Sequence, residues 1–180
     1  MRWSPNRLLQ PRARVGSRTV FAPSVFSNLS KPEVYRELAA QLSAVIEGET
    51  DSVANMANCV ALIFNSLPGL NWAGFYLLKG GELVLGPFQG KVACVRIPFG
   101  RGVVGTAAEK RTTIRVADVN QFPGHIACDT ASKSEIVIPM VSADSHLLGV
   151  LDVDSPELDR FDGEDEAGLR EIARLISAKL

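Results

Sequence analysis

Residues 71–88 read NWAGFYLLKGGELVLGPF, two apolar-rich runs around a glycine pair. Asn71 to Leu78 and Glu82 to Phe88 each carry the aromatic and branched side chains of a strand, and Lys79-Gly80-Gly81 joins them. Two such runs across a Gly-Gly turn predict a β-hairpin, because glycine reaches the positive φ values that a tight hairpin turn demands. Strands joined that tightly run antiparallel, and this decides how the rest of the chain is read.

Downstream, Cys94 to Phe99 is a third short strand-like run, Gly102 to Lys110 a short helix and Thr112 to Val116 a strand. A long irregular stretch follows from Asp118 to Ser134. Loops beyond about 12–15 residues are uncommon unless they are functional or disordered. Two further strands, Glu135 to Val141 and His146 to Val153, are separated by the turn Ser142-Ala143-Asp144-Ser145. Ala167, Leu169, Ile172, Leu175, Ile176 and Leu180 then recur at helical spacing and predict a closing amphipathic helix.

Upstream, Ser30-Lys31-Pro32-Glu33 has the form of a capping box, with Val34, Leu38, Leu42 and Val45 on one helical face and Gly48 ending it. A second helix follows Asp51, with Val53, Met56, Val60, Ile63, Phe64 and Leu67 on one side, stopped by Pro68-Gly69. Helices at both ends of a mostly hairpin-connected sheet define an α+β fold with a central, mostly antiparallel sheet and flanking helices. The ordered domain is expected over residues 31–180.

Composition narrows the function. The 180 residues suit one well-cored domain, and no apolar run approaches the length of a membrane span. A formal net charge of −1 gives no reason to expect nucleic acid as a partner. The charge is unevenly spread, however. Residues 1–32 hold Arg2, Arg7, Arg12, Arg14, Arg18 and Lys31 without an acid, leaving 13 basic against 20 acidic residues in the remainder. The basic leader, taken as residues 1–30, reads equally as an organelle transit peptide or as a disordered extension. A cytoplasmic location is expected, with the mitochondrion as the alternative if residues 1–32 direct import. Three scattered cysteines are no framework for a secreted disulfide scaffold.

The long loop contains Gly124-His125-Ile126-Ala127-Cys128-Asp129. A cysteine in a polar, glycine-bearing loop is better placed to meet a substrate than one in a core helix. His125 or a helix N-terminus would favour its thiolate and Asp129 would oppose it; packing is the competing use. Cys94 stands at a strand start beside Lys91, and a redox enzyme needs both an attacking thiol and a second thiol to release the oxidised one. The spacing of the two neither requires nor forbids contact. Cys59, among Met56, Ala57 and Val60, reads as a small buried hydrophobe.

Among the acids, Glu135 opens an otherwise apolar strand, and Asp152 and Asp154 share one strand face by the two-residue period. Acids at strand ends are often only solvated. If these three converge, they bind an ammonium group and protonate a leaving oxygen, since crowding and burial raise the pKa of at least one. Trp72 and Tyr76 supply either an apolar wall or core packing. Gly100-Arg101-Gly102-Val103-Val104-Gly105 matches the dinucleotide-binding pattern, but Pro98 interrupts the approach and no parallel βαβ repeat follows. A tight turn at a helix start is the better reading. Cys94, Cys128, His125 and His146 lack the spacing of zinc ligands, so neither metal nor other cofactor is expected.

Together these segments resemble the free methionine-(R)-sulfoxide reductases, which are single GAF domains. The resemblance lies in residues 71–76 (NWAGFY), 85–90 (LGPFQG), 96–103 (RIPFGRGV), 124–129 (GHIACD), 134–137 (SEIV) and 149–155 (GVLDVDS), and covers most of residues 33–180. It implies that Cys128 attacks the sulfoxide sulfur of free methionine sulfoxide and that Cys94 resolves the sulfenic acid as a disulfide. It further implies that thioredoxin reduces that disulfide, that Trp72 and Tyr76 wall the substrate methyl group, and that Glu135, Asp152 and Asp154 bind substrate and assist oxygen departure. A homodimer is plausible on the same basis. Val104 stands where the family often has a third cysteine, so recycling is expected to rest on Cys94. The rival reading is a small-molecule-sensing GAF module without turnover. A sensor is expected to sit beside an output domain, for which 180 residues leave little room, and has no need of the cysteine pair.

Overall fold

The computed structural model describes residues 28–126 and 128–180. Of the basic leader expected over residues 1–30, residues 1–27 lie outside these. Four helices and six strands follow in the order α1 (Lys31–Ile46), α2 (Ser52–Ser66), β1 (Trp72–Lys79), β2 (Glu82–Gly90), β3 (Arg96–Pro98), α3 (Gly102–Lys110), β4 (Ile114–Val116), β5 (Ser134–Val141), β6 (Leu147–Ser155) and α4 (Gly163–Ser177). A single 3-10 turn, Val119–Gln121, interrupts the long loop before β5.

The strands form one sheet in the order β3-β2-β1-β6-β5-β4, with every neighbouring pair antiparallel. Strand alternation divides the core between its faces. Ala73 and Phe75 of β1, Ile136 and Ile138 of β5, and Leu151 and Val153 of β6 pack under α1, α2 and α4. Trp72, Tyr76, Val137 and Val150 point the other way, towards Val103, Val104, Ala107 and Ala108 of α3. Cys59 is fully buried under the three-helix face, where desolvation pushes its thiol pKa up; it is the packing residue expected.

Local signals account for the helix starts. The Ser30 amide donates to the Glu33 carboxylate at 2.8 Å, and Asp51 Oδ1 accepts from the Ala54 amide at 2.8 Å. Asp165, buried on α4, accepts from Tyr35 Oη at 2.9 Å and lies 2.8 Å from Lys31 Nζ, fastening the first turn of α1 to α4. No helix among the described residues is long and apolar enough to cross a membrane.

The structure corrects several boundaries. The runs expected at 94–99 and 112–116 contract to three paired residues each, Arg96–Pro98 and Ile114–Val116. These are the two edge strands, each paired on one side only, and Pro98 has no amide with which to continue its ladder. Val53, expected on the packed face of α2, is 59% exposed, while Asn55 and Met56 in the same stretch are buried, and Leu180 lies beyond the end of α4. Ser134 rather than Glu135 opens β5. The 100–105 segment is the tight turn expected: Gly100 and Gly102 take φ values of +76° and +63°, and a Cβ on Gly105 would run into the Pro98 carbonyl.

Candidate active site

Register assembles the site from the three central strands. Glu135 of β5 lies opposite Asp154 of β6, which in turn lies opposite Trp72 of β1. Two residues along, Asp152 sits between Val137 and Gly74. The period of two aims all of these at the α3 side of the sheet. Gly74 has a specific reason to be glycine: a Cβ there would collide with the Trp72 ring, which leans across the strand. The ring thereby stacks on Tyr76 at 5.9 Å and on Phe88 at 5.5 Å, making a flat apolar wall.

The two cysteines arrive on loops. Cys94 lies between β2 and β3, Cys128 between the 3-10 turn and β5, and a disulfide joins them with the Cα atoms 5.4 Å apart. The aromatic wall anchors the first loop by its polar edges. Trp72 Nε1 donates to the Lys91 carbonyl at 3.1 Å, and Tyr76 Oη donates to the Cys94 carbonyl at 3.0 Å. Burial and the nearby Asp152 raise the Tyr76 pKa, so its hydroxyl stays a donor. Asp129 anchors the second loop. Its carboxylate accepts from the Ala131 amide at 2.9 Å and from Asn71 Nδ2 at 3.2 Å, and lies 3.4 Å from Lys91 Nζ. The backbone bond from Ala131, with Asn71 and Lys91, holds its pKa below the ordinary value. Asn71 Nδ2 also reaches Ser132 Oγ at 2.9 Å.

Both loops cover a pocket lined by Trp72, Tyr76, Cys128, Glu135, Asp152 and Asp154, together with Val92, Ala93, Ile97, Val104, His125 and Ile126. Six of the seven residues singled out from the sequence therefore share one cavity. Cys94 stands just outside the lining and packs with Ala93 on the core. Strand alternation had placed Asp152 and Asp154 on one face; the contributions of Asn71, Ile97 and Ser132 went unread, as only tertiary register brings them in.

The acids are not solvated. Glu135 and Asp152 are buried, and one oxygen from each of Glu135, Asp152 and Asp154 lies within 4.8 Å of the others. Desolvation, then the charge of Asp154, raises the pKa of Glu135 and Asp152 well above the carboxylate range, and the two share a hydrogen bond. Burial, then the charge of Asp129, raises Asp154 to about 7. Near neutral pH the group thus holds at least one proton beside partial negative charge. Asp152 Oδ1 is buried without a hydrogen-bond partner among the described residues, a costly state that a ligand N–H would relieve. His125 Nε2 lies 4.0 Å from Glu135 Oε2, and burial lowers the histidine pKa, leaving it neutral at pH 7. Three carboxylates can hold a hard divalent cation or an organic ammonium; the facing aromatic wall favours the ammonium, which attracts π-faces as well as carboxylates.

Tyr76→Phe keeps the wall and removes the hydroxyl that holds the Cys94 carbonyl. Formation of the Cys94–Cys128 disulfide after one oxidation event should slow by about fivefold, the rate equivalent of a hydrogen bond worth about 1 kcal/mol. Thiol titration in a rapid-quench experiment measures this; an unchanged rate would show that the bond leaves the loop's position unaffected.

Residues 36–180 match the GAF domain family. The Escherichia coli free methionine-R-sulfoxide reductase is 53% identical over 152 residues, covering 84% of this chain and 92% of that protein. The Saccharomyces cerevisiae protein of the same name is 46% identical over 158 residues, covering 84% and 88%. The crystal structure of the free methionine-R-sulfoxide reductase of Neisseria meningitidis, in complex with its substrate, superposes with a TM-score of 0.82 at 47% identity and covers 86% of this chain and 93% of that one.

Proposed function

Because this chain belongs to the free methionine-R-sulfoxide reductase family of GAF domains, we propose that it reduces free methionine-(R)-sulfoxide with Cys128 as nucleophile. The observation that carries this assignment is the convergence on one pocket of the Cys128 sulfur, three crowded carboxylates and an aromatic wall.

The residues divide the work as follows. Asp154, the most readily ionised of the three acids, accepts the substrate ammonium, with Asp152 Oδ1 as a second acceptor. Trp72 and Tyr76 flank the methyl group. The Cys128 thiolate forms a bond to the sulfoxide sulfur while the proton shared by Glu135 and Asp152 passes to the oxygen. Oxygen transfer to Cys128 then releases methionine and leaves a sulfenic acid. The Cys94 thiol attacks the Cys128 sulfur, an S–S bond forms, and the hydroxyl leaves with a proton as water. Thioredoxin returns the two electrons by reducing that disulfide. With Val104 in place of a third cysteine, this two-thiol cycle is the whole of the recycling chemistry. The reading includes a homodimer and a cytoplasmic location, with a mitochondrial one if residues 1–32 direct import.

The direct test is turnover of separated R and S epimers of free methionine sulfoxide with thioredoxin, thioredoxin reductase and NADPH. The R epimer should consume NADPH and the S epimer should not. Folded protein that turns over neither epimer would overturn the reading in favour of a binding module.

A further inference from the structure

Among the described residues the two most exposed large apolar side chains are Val92, at 87%, and Val95, at 67%. They lie two residues before and one residue after Cys94. Ile126, two residues before Cys128, is also exposed. Apolar side chains gathered around a reactive bond mark a contact surface rather than chance exposure. The segment that carries them is nonetheless held firmly: Trp72 holds the Lys91 carbonyl, Tyr76 the Cys94 carbonyl, and the Leu85 amide donates to the Val95 carbonyl at 3.0 Å. A fixed backbone presenting apolar side chains to water is preorganised for a partner, since little ordering remains to be done on binding. Transient redox encounters are small, under about 1,200 Å² in total, so a few such side chains suffice.

Resting on the thioredoxin-recycled cycle above, we propose that Val92, Val95 and Ile126 form the surface on which the dithiol reductant docks, and that its thiolate attacks Cys94 rather than Cys128. Position and charge separate the two sulfurs. Cys128 lines the substrate pocket, with Asp129 beside it and the partial negative charge of the Glu135, Asp152 and Asp154 group in the same lining, which disfavours an incoming thiolate there. Cys94 stands outside the pocket lining, three residues from Lys91, whose side chain is 70% exposed. In the first step the reductant's thiolate forms a bond to Cys94 Sγ, the Cys94–Cys128 bond breaks, and the electron pair leaves on Cys128 as the thiolate needed for the next turnover. The reductant's second thiol, deprotonated, then attacks its own sulfur in the mixed disulfide. Cys94 leaves, takes up a proton, and the partner departs as a disulfide.

Val95→Asp tests the surface without touching the pocket. With dithiothreitol as reductant its turnover of methionine-(R)-sulfoxide should equal that of the wild type, whereas its kcat/KM for thioredoxin should fall by about tenfold, the loss of one central apolar contact. In parallel, a thioredoxin whose second active-site cysteine is serine should be trapped on the oxidised protein, and peptide mapping should find it on Cys94. An unchanged kcat/KM for thioredoxin in Val95→Asp, wild-type turnover with dithiothreitol but not thioredoxin, or trapping on Cys128 overturns the docking proposal alone. Absence of turnover with either reductant overturns the enzymatic reading as well.

Discussion

Cys128→Ser should reduce methionine-(R)-sulfoxide turnover to background, a fall on the order of 10⁴-fold or more, as when a covalent nucleophile is lost from an otherwise intact site. A serine hydroxyl is a hard, protonated and poor nucleophile towards sulfur. Fold and substrate binding should survive, because Cys128 is only half-buried and Asp129 still ties its loop to Asn71 and Lys91. Cys94→Ser makes the contrast. It should release one equivalent of methionine per chain and then stall with thioredoxin, having formed a sulfenic acid that nothing resolves. NADPH consumption together with quantified methionine separates the two variants, and equal steady-state rates in Cys128→Ser and wild type would remove Cys128 from the mechanism.

Glu135→Gln should cost about 10²–10⁴-fold in kcat, the usual weight of a general acid, and make the protein more stable at pH 8. Both follow from one cause. Burial, followed by the charge of Asp154, raises the folded pKa of Glu135 well above the value near 4.3 of an unfolded chain. Between those two values the folded protein binds more protons than the unfolded one. The associated stability is therefore complete below the unfolded pKa and is lost as pH rises through the folded one. Asp154, raised to about 7, behaves the same way, so wild-type Tm should decline from pH 5 to pH 8. Glutamine cannot ionise, and its variant should lose part of that decline. Wild-type activity should fall at high pH as the shared proton leaves, and in Glu135→Gln that limb should be absent. A variant that loses activity yet keeps the wild-type Tm profile would mean that Glu135 titrates normally in the fold.

The sequence was a good guide wherever a feature is local and long enough to show a period. The Gly80-Gly81 hairpin, the capped starts of α1 and α2 and the amphipathic α4 all stand where periodicity puts them. The edge strands do not, because three residues cannot display an alternation. The same division runs through the site. Alternation along β6 pairs Asp152 with Asp154, but that Glu135 faces Asp154 depends on the register of β5 against β6, which no single segment encodes. The clasp that Asn71 and Lys91 make with Asp129 spans 58 and 38 residues and leaves no linear trace. The pairing of Cys94 with Cys128 was legible through family resemblance alone.

The two bonds from Trp72 and Tyr76 to the carbonyls of Lys91 and Cys94 also bear on how this pocket can be altered. Its wall and its recycling arm hang on the same pair of side chains. A substitution that enlarged the cavity for a bulkier sulfoxide would let go of the segment that closes the catalytic cycle. Substrate range and recycling speed are thus tied together, and a broader specificity, whether selected in nature or engineered, would have to come from residues such as Val104 or Ile97, which line the pocket and carry no such second duty.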